Sequence, residues 1–297
     1  MNIVPGDFCD NIGELLLELD HPLPNSSILP RVWQQAFKAR AARPFQRFDL
    51  VLSLEGDTVY YTGVSFFRYS TFDAMFRIPK NQLRFIEVTL GRPRSPSEKY
   101  FSLSITDFQR FYLNPILEAM EHGSQLILQG PVHPVLLEPF LTSPKTNCLY
   151  MEFNMPNSQL ILQRKLQLTH VGYLRLFGPW PNAAIDPLLL PVIRSGKLRE
   201  IYFPDTLFTM DYFRALHAHW KDNIFAEEFT FEGNADLKPA DIVQICEDFG
   251  IENVENLENA FRLKKRIRLE NDYVIFSYNC QSLKVCMHIP GNTPWYL

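Results

Sequence analysis

One short phrase recurs five times between residues 123 and 233, and it constrains the fold more than anything else in the chain. Each copy reads apolar or small, two residues, apolar, one residue, apolar. The copies are Gly123/Leu126/Leu128, Cys148/Met151/Phe153, Val171/Leu174/Leu176, Leu198/Ile201/Phe203 and Ala226/Phe229/Phe231. Their starts lie about 23 to 28 residues apart, a period typical of stacked strand-plus-helix units. One such unit cannot bury its own apolar face. Neighbours must therefore stack, giving parallel strands under a layer of helices. The intervening spacing predicts helices over roughly 132–142, 158–168, 183–195, 207–221 and 237–249. Gly130-Pro131, Gly178-Pro179 and Pro204-Asp205 should end the strands before three of them.

The flanks do not follow the period. Residues 7–19 read as a helix with Asp7 as N-cap and Ile12, Leu15, Leu16 and Leu19 at helical spacing. Two prolines and an Asn/Ser cluster make residues 20–27 a loop. A second helix follows Pro30, with Val32, Trp33, Ala36 and Phe37 as its apolar stripe, and Pro44 ends it. Phe48–Leu54 and Thr58–Val64 read as a hairpin turning at Gly56, and Leu83–Leu90 as a further strand. Asp107–His122 reads as a helix kinked by Pro115 and closed by Gly123 as a left-handed C-cap. In the tail, Ala260–Leu269, Asp272–Asn279 and Leu283–Ile289 suggest an antiparallel meander that caps the open end of the array. The expected organisation is a helical segment over 1–46, a hairpin, strand and helix over 47–122, strand-helix repeats over 123–235, and a helix plus β-meander cap over 236–297.

The bulk properties limit the function classes. With 46% hydrophobic and 21% charged residues, the chain has the make-up of a folded soluble protein. A net charge of −4 gives no electrostatic case for nucleic acid or an anionic membrane as main partner. No run approaches the ~18 apolar residues of a membrane helix, and the start lacks the basic and apolar regions of a signal peptide. Five cysteines without a Cys-x-x-Cys pair point to reduced thiols in the cytoplasm or nucleus.

The repeat phrase resembles the apolar core of a leucine-rich repeat. That family's Asn, three residues after the last apolar position, is replaced by Pro131, Pro156, Pro179 and Thr206, and stands only at Asn234. The N-terminus resembles a degenerate F-box. Val4-Pro5-Gly6-Asp7-Phe8 takes the place of its Leu-Pro start, Ile12, Leu15 and Leu16 sit on its first helix, and Trp33 sits near its late tryptophan. In layout the chain is similar to the divergent F-box-like and repeat proteins of nematodes. The resemblance implies an α/β fold: a leucine-rich-repeat-like strand-helix solenoid with a helical F-box-like N-terminus and an antiparallel β C-terminal cap. It further implies a substrate-recognition receptor of a cullin-type ubiquitin ligase, without catalytic residues of its own. Ile12, Leu16 and Trp33 would dock a Skp-type adaptor, and the repeat surface would hold a protein substrate. A free-standing repeat scaffold and an α/β enzyme with a cryptic site are the alternatives.

The residues themselves suggest a binding surface rather than a reaction centre. Strand side chains alternate between faces, so inward Met151 and Phe153 put Tyr150 and Glu152 outward. The same step puts Tyr173 and Arg175, then Glu200 and Tyr202, on that outer face. Tyr150, Glu152, Tyr173, Arg175 and Tyr202 are the candidate protein-binding residues, because Tyr and Arg are enriched at binding hot spots. Equivalence of the copies predicts Tyr150 beside Tyr173, and Arg175 beside Glu152 and Tyr202. His217-Ala218-His219 has the wrong spacing for one metal ion on a helix. Asp248-Phe249-Gly250 copies a kinase tripeptide without its companions and reads as a helix end. Cys9 has no identifiable base, and Lys264-Lys265-Arg266 reads as a solvated strand face. No cofactor or metal is expected.

Overall fold

The computed structural model describes residues 45–66, 68–92, 95, 98–153, 157–222, 230–235, 241, 244, 251–257, 260–265, 273–279 and 282–288. The expected N-terminal helices, with Ile12, Leu16 and Trp33, lie outside the described residues, as does most of the expected helix 237–249. The chain divides into two compact units, Met1–Asn147 and Cys148–Leu297.

The first unit is built on β1 (Gln46–Glu55), β2 (Thr58–Ser65), β3 (Arg68–Ser70), β4 (Leu83–Leu90), β5 (Phe101–Ser104) and β6 (Met120–Leu128). Gly56, at φ +57°, makes the β1–β2 turn, a conformation that a side chain would strain. The strand order is β6-β4-β1-β2-β3, and β5 also pairs with β2. β1 runs parallel to β4 and antiparallel to β2, so the sheet grows in both directions from its first strand. Leu50, Leu52, Val88, Leu90, Leu126 and Leu128 are fully buried on one face. On the same face Tyr61 stacks on Phe72 of α1 (Phe72–Met75), with ring centroids 3.8 Å apart. Phe72 also meets Tyr112, whose hydroxyl donates to Asp73 at 2.8 Å. Tyr112 closes a π-helical turn, Phe108–Tyr112, that leads into α2 (Leu113–Ala119). Pro115 therefore lies just past that π-helical turn, within a helical run that is continuous from Ile105 to Ala119. Gly123 is not a helix cap: it lies inside β6 at φ +89°, in a bulge between the Phe85↔Met120 and Glu87↔Gln125 pairs. The last helix of this unit is α3 (Pro134–Leu141).

The second unit carries β7 (Thr146–Glu152, entering at Cys148), β8 (Tyr173–Phe177), β9 (Glu200–Phe208) and β10 (Thr230–Ala235) as parallel neighbours. Between them run α4 (Ser158–Leu168), α5 (Asn182–Arg194) and α6 (Met210–Asp222). Leu149, Met151, Leu174, Leu176, Ile201 and Phe203 form the fully buried sheet face. Leu162, then Ile185, Leu189 and Ile193, then Tyr212, Phe213, Ala215 and Leu216 are buried apolar helix residues, recurring at helical spacing so that each helix turns one side inward. Tyr212 is wholly buried, and its hydroxyl donates to Asp186 at 2.6 Å, tying α6 to α5. Beyond β10 come β11 (Ile251–Leu257), β12 (Ala260–Lys265), β13 (Tyr273–Asn279) and β14 (Ser282–His288), an antiparallel run in the order β11-β12-β13-β14 with β14 against β10.

These observations correct the expected leucine-rich-repeat-like solenoid and β cap, while the expected helical F-box-like N-terminus lies outside the described residues. The fold is a mixed α/β arrangement of open, largely parallel sheet with six helices among the described residues. A solenoid stacks equivalent positions of successive copies, and among the described residues only Leu174 and Ile201 do so. Met151 pairs with Leu176, not Leu174, so the β7 copy is really Thr146/Leu149/Met151. Ile201 pairs with Phe231, not with Phe229, which lies outside the described residues. In the first unit, a hairpin partner beside β1 breaks the one-way winding that a solenoid needs. The tail continues the sheet through β14 and β10 instead of closing over an end.

Candidate functional site

The face of β7–β9 opposite the helices carries a row set by strand register. Tyr150 pairs with Arg175, and Arg175 with Tyr202. Because the strands are parallel, the three side chains stand side by side at the inter-strand spacing of about 4.8 Å. The Arg175 guanidinium carbon lies 5.0 Å from the Tyr150 ring centre and 5.8 Å from that of Tyr202, so the cation sits between two aromatic rings. Its Nε donates to Glu200 Oε1 at 2.9 Å, and its Nη2 stands 2.8 Å from the same oxygen. Phe177, two residues along β8, reaches the same two tyrosines, with ring centres 6.5 Å from Tyr150 and 5.7 Å from Tyr202. Arginine and phenylalanine thus alternate along β8 and interdigitate with the flanking rings.

The row is half-buried, not fully solvated. Burial is the largest influence on the Arg175 guanidinium and pulls its pKa down, but Glu200 and Tyr150 outweigh it and leave the pKa raised. Burial also raises the Tyr150 phenol, with Cys148 adding to the effect and Arg175 opposing it. At pH 7 both residues therefore keep their ordinary forms: cationic arginine and neutral, hydrogen-bonding tyrosine. Cys148 itself is buried and forms no disulfide.

Alternation placed Tyr150, Glu152, Tyr173, Arg175 and Tyr202 on one face, and the structure has all five half-buried there. Arg175 lies beside Tyr202 as expected, but the β7 neighbours are displaced by two residues. Tyr173 stands between Cys148 and Glu200, Glu152 stands beside Phe177, and Arg175 is flanked by Tyr150 and Tyr202. Phe177 and Glu200 complete the row, and neither was among the candidates. Each lies two residues from a candidate on its own strand, which was signal enough to include them.

His219 Nδ1 faces the Arg194 carbonyl oxygen at 3.2 Å, and its ring fills the space where a side chain at Gly196 would stand. Among the described residues no group of three or more His, Cys, Asp or Glu is placed to hold a metal. Cys9 and Asp248-Phe249-Gly250 lie outside the described residues, as does Arg266. Lys165 is unexpected: it is wholly buried on the stripe that Ser158 and Leu162 begin, and burial lowers its pKa to about 8. No helix among the described residues is long and apolar enough to cross a membrane.

Compared with known proteins, the chain matches no family model, no curated protein and no solved structure.

Proposed function

We propose that this chain is a non-catalytic protein-interaction module whose partner rests on the β7–β9 face. The observation that carries the reading is the Tyr150–Arg175–Tyr202 row with Phe177: rigid aromatic surface around a fixed cation, half open to solvent. Large flat side chains with polar tips gain contact area at low entropic cost, so such a row suits a protein partner better than a small solute. The N-terminal resemblance adds a setting. In it the chain is a substrate receptor of a cullin-type ubiquitin ligase in the cytoplasm or nucleus, with Ile12, Leu16 and Trp33 docking a Skp-type adaptor. The β7–β9 face then holds the substrate protein.

Two measurements separate the parts of this reading. Affinity purification of the full chain with mass spectrometry should recover cullin-ligase subunits, and Ile12→Asp with Leu16→Asp should abolish that recovery. Partners recovered without any ligase subunit would leave a free-standing interaction scaffold. Changing Tyr150, Tyr173 and Tyr202 together to Ala should remove substrate capture. Unaltered capture by a folded triple variant would refute the face assignment.

A further inference from the structure

We infer that Arg175 is the recognition fork of this face and that it takes a carboxylate side chain, Asp or Glu, from the bound protein. The inference rests on the reading that a protein partner occupies the β7–β9 face. A guanidinium has five N–H donors in a fixed plane. One edge of Arg175, Nε and Nη2, is turned to a single oxygen of Glu200. The other edge, Nη1 with the second Nη2 hydrogen, has no acceptor among the described residues, and the side chain is 39% exposed. Glu200 and the two rings therefore hold the plane still while leaving a two-donor edge open, which is the geometry that receives a carboxylate through two parallel hydrogen bonds.

Charge narrows the choice of anchor: Arg175 is the only Lys or Arg in β7, β8 and β9, which otherwise carry Glu152, Glu200 and Asp205, so a single acidic group on the partner has one place to go on these three strands. The aromatic walls exclude water around the pair and strengthen it. Glu200 already shares the cation, so a singly charged carboxylate is favoured over a doubly charged phosphate, whose second charge it would repel. Tyr150 and Tyr202 then act as walls that also offer apolar contact to residues beside the acid.

Selection from a random dodecapeptide display library on the immobilised full chain tests this. Enriched peptides, synthesised and measured by fluorescence polarisation, should carry Asp or Glu at one fixed position. Exchanging that residue for Asn or Gln should weaken binding about tenfold or more, the loss expected for a charge-assisted bidentate pair. Arg175→Lys keeps the charge and removes the fork; it should produce a similar loss, with little added when both changes are combined. Peptides that depend on Tyr150 and Tyr202 yet ignore Arg175→Lys would overturn this inference and leave the proposed function standing. Peptides indifferent to every residue of the face, or no enrichment at all, would overturn both. Tighter binding when phosphoserine replaces the acid would overturn the carboxylate assignment. Should Arg175→Lys fail to fold, shown by loss of its thermal transition, the acid-to-amide exchange in the peptide decides alone.

Discussion

Two rows of side chains, one in each unit, meet the same physical problem with opposite results. On β7–β9 the register places a cation between two rings, with a carboxylate within hydrogen-bond reach. On β1 and β4 the register places Asp49 directly beside Glu87, with Val64 and Gln125 as the outer neighbours. Burial raises the pKa of both acids. For Glu87 the nearby Asp49 raises it further, while a hydrogen bond from Thr89 and the charge of Arg92 pull it back. The first arrangement fixes a charge and leaves one edge for use. The second makes ionisation costly for the pair. The difference teaches that a half-buried charge on a sheet is decided by the residue that pairing puts next to it, not by its own strand.

The largest test separates the two faces of β8. Leu174 lies between Leu149 and Ile201, all wholly buried, directly behind the Arg175 row. Leu174→Ala should cost about 2–5 kcal/mol in urea unfolding, because a cavity adds to the lost burial. A cost near zero would mean that this strand is turned over and that the row faces inward.

Lys165 is a third buried charge, and burial lowers its pKa to about 8. A folded-state pKa below the unfolded value of about 10.4 means that holding the ammonium charged costs the native state most below pH 8. The cost shrinks as pH rises from about 8 to 10.4 and is gone above that. Lys165→Met should therefore stabilise by about 1–3 kcal/mol at pH 7, with the advantage fading by pH 10.4. Denaturant midpoints at pH 7, 9 and 10.5 check it, and a pH-independent difference would contradict the assignment.

Next in size is the Arg175 row itself. Arg175→Met keeps most of the aliphatic packing but removes the ion pair and the ring contacts. The pair is partly solvated, so the loss should be only about 1–2 kcal/mol. Much of it should persist at 1 M salt, since ring contact is screened less than the Glu200 attraction. A loss erased completely by salt would reduce the row to an ordinary surface ion pair.

How much of this was legible depends on the range of the signal. Which face Tyr150, Arg175 and Tyr202 share follows from the period of two within each strand, and that is local. Which residues stand beside Arg175 depends on register between strands, and β7 is ambiguous. Cys148, Met151 and Phe153 satisfy the phrase, but Thr146, Leu149 and Met151 occupy it, because Leu149 and Met151 are the wholly buried residues. The two-residue difference put Tyr150 in the place expected for Glu152 beside Arg175, without turning its face and without changing Tyr202 on the other side. Gly123 was legible as a positive-φ position but not as a bulge, since both contexts want glycine. The place of β1 between β2 and β4 was not legible, because an apolar strand carries no mark of its second partner. The Asp49–Glu87 pair follows from that placement and was hidden with it.

The smallest effect comes from relieving the Asp49–Glu87 row of one of its two acids. Asp49→Asn removes a charge beside Glu87 while keeping shape and hydrogen-bonding capacity. Like charges directly across a strand pair cost about 0.2–1 kcal/mol, so the variant should be more stable by that amount at pH 7. The pH dependence carries the sign. Both acids have folded-state pKa values above their ordinary ones, so the native state binds more protons than the unfolded state between the two. Stability from this source is present below the ordinary carboxylate range and is lost as pH rises through the raised values. Asp49→Asn should match the wild type near pH 3.5 and pull ahead as the pH approaches 7, with Glu87 titrating at lower pH in the variant by carboxyl-detected NMR. An unmoved Glu87 titration would show that burial alone holds it up, and the two rows would then differ in solvation and not in neighbours.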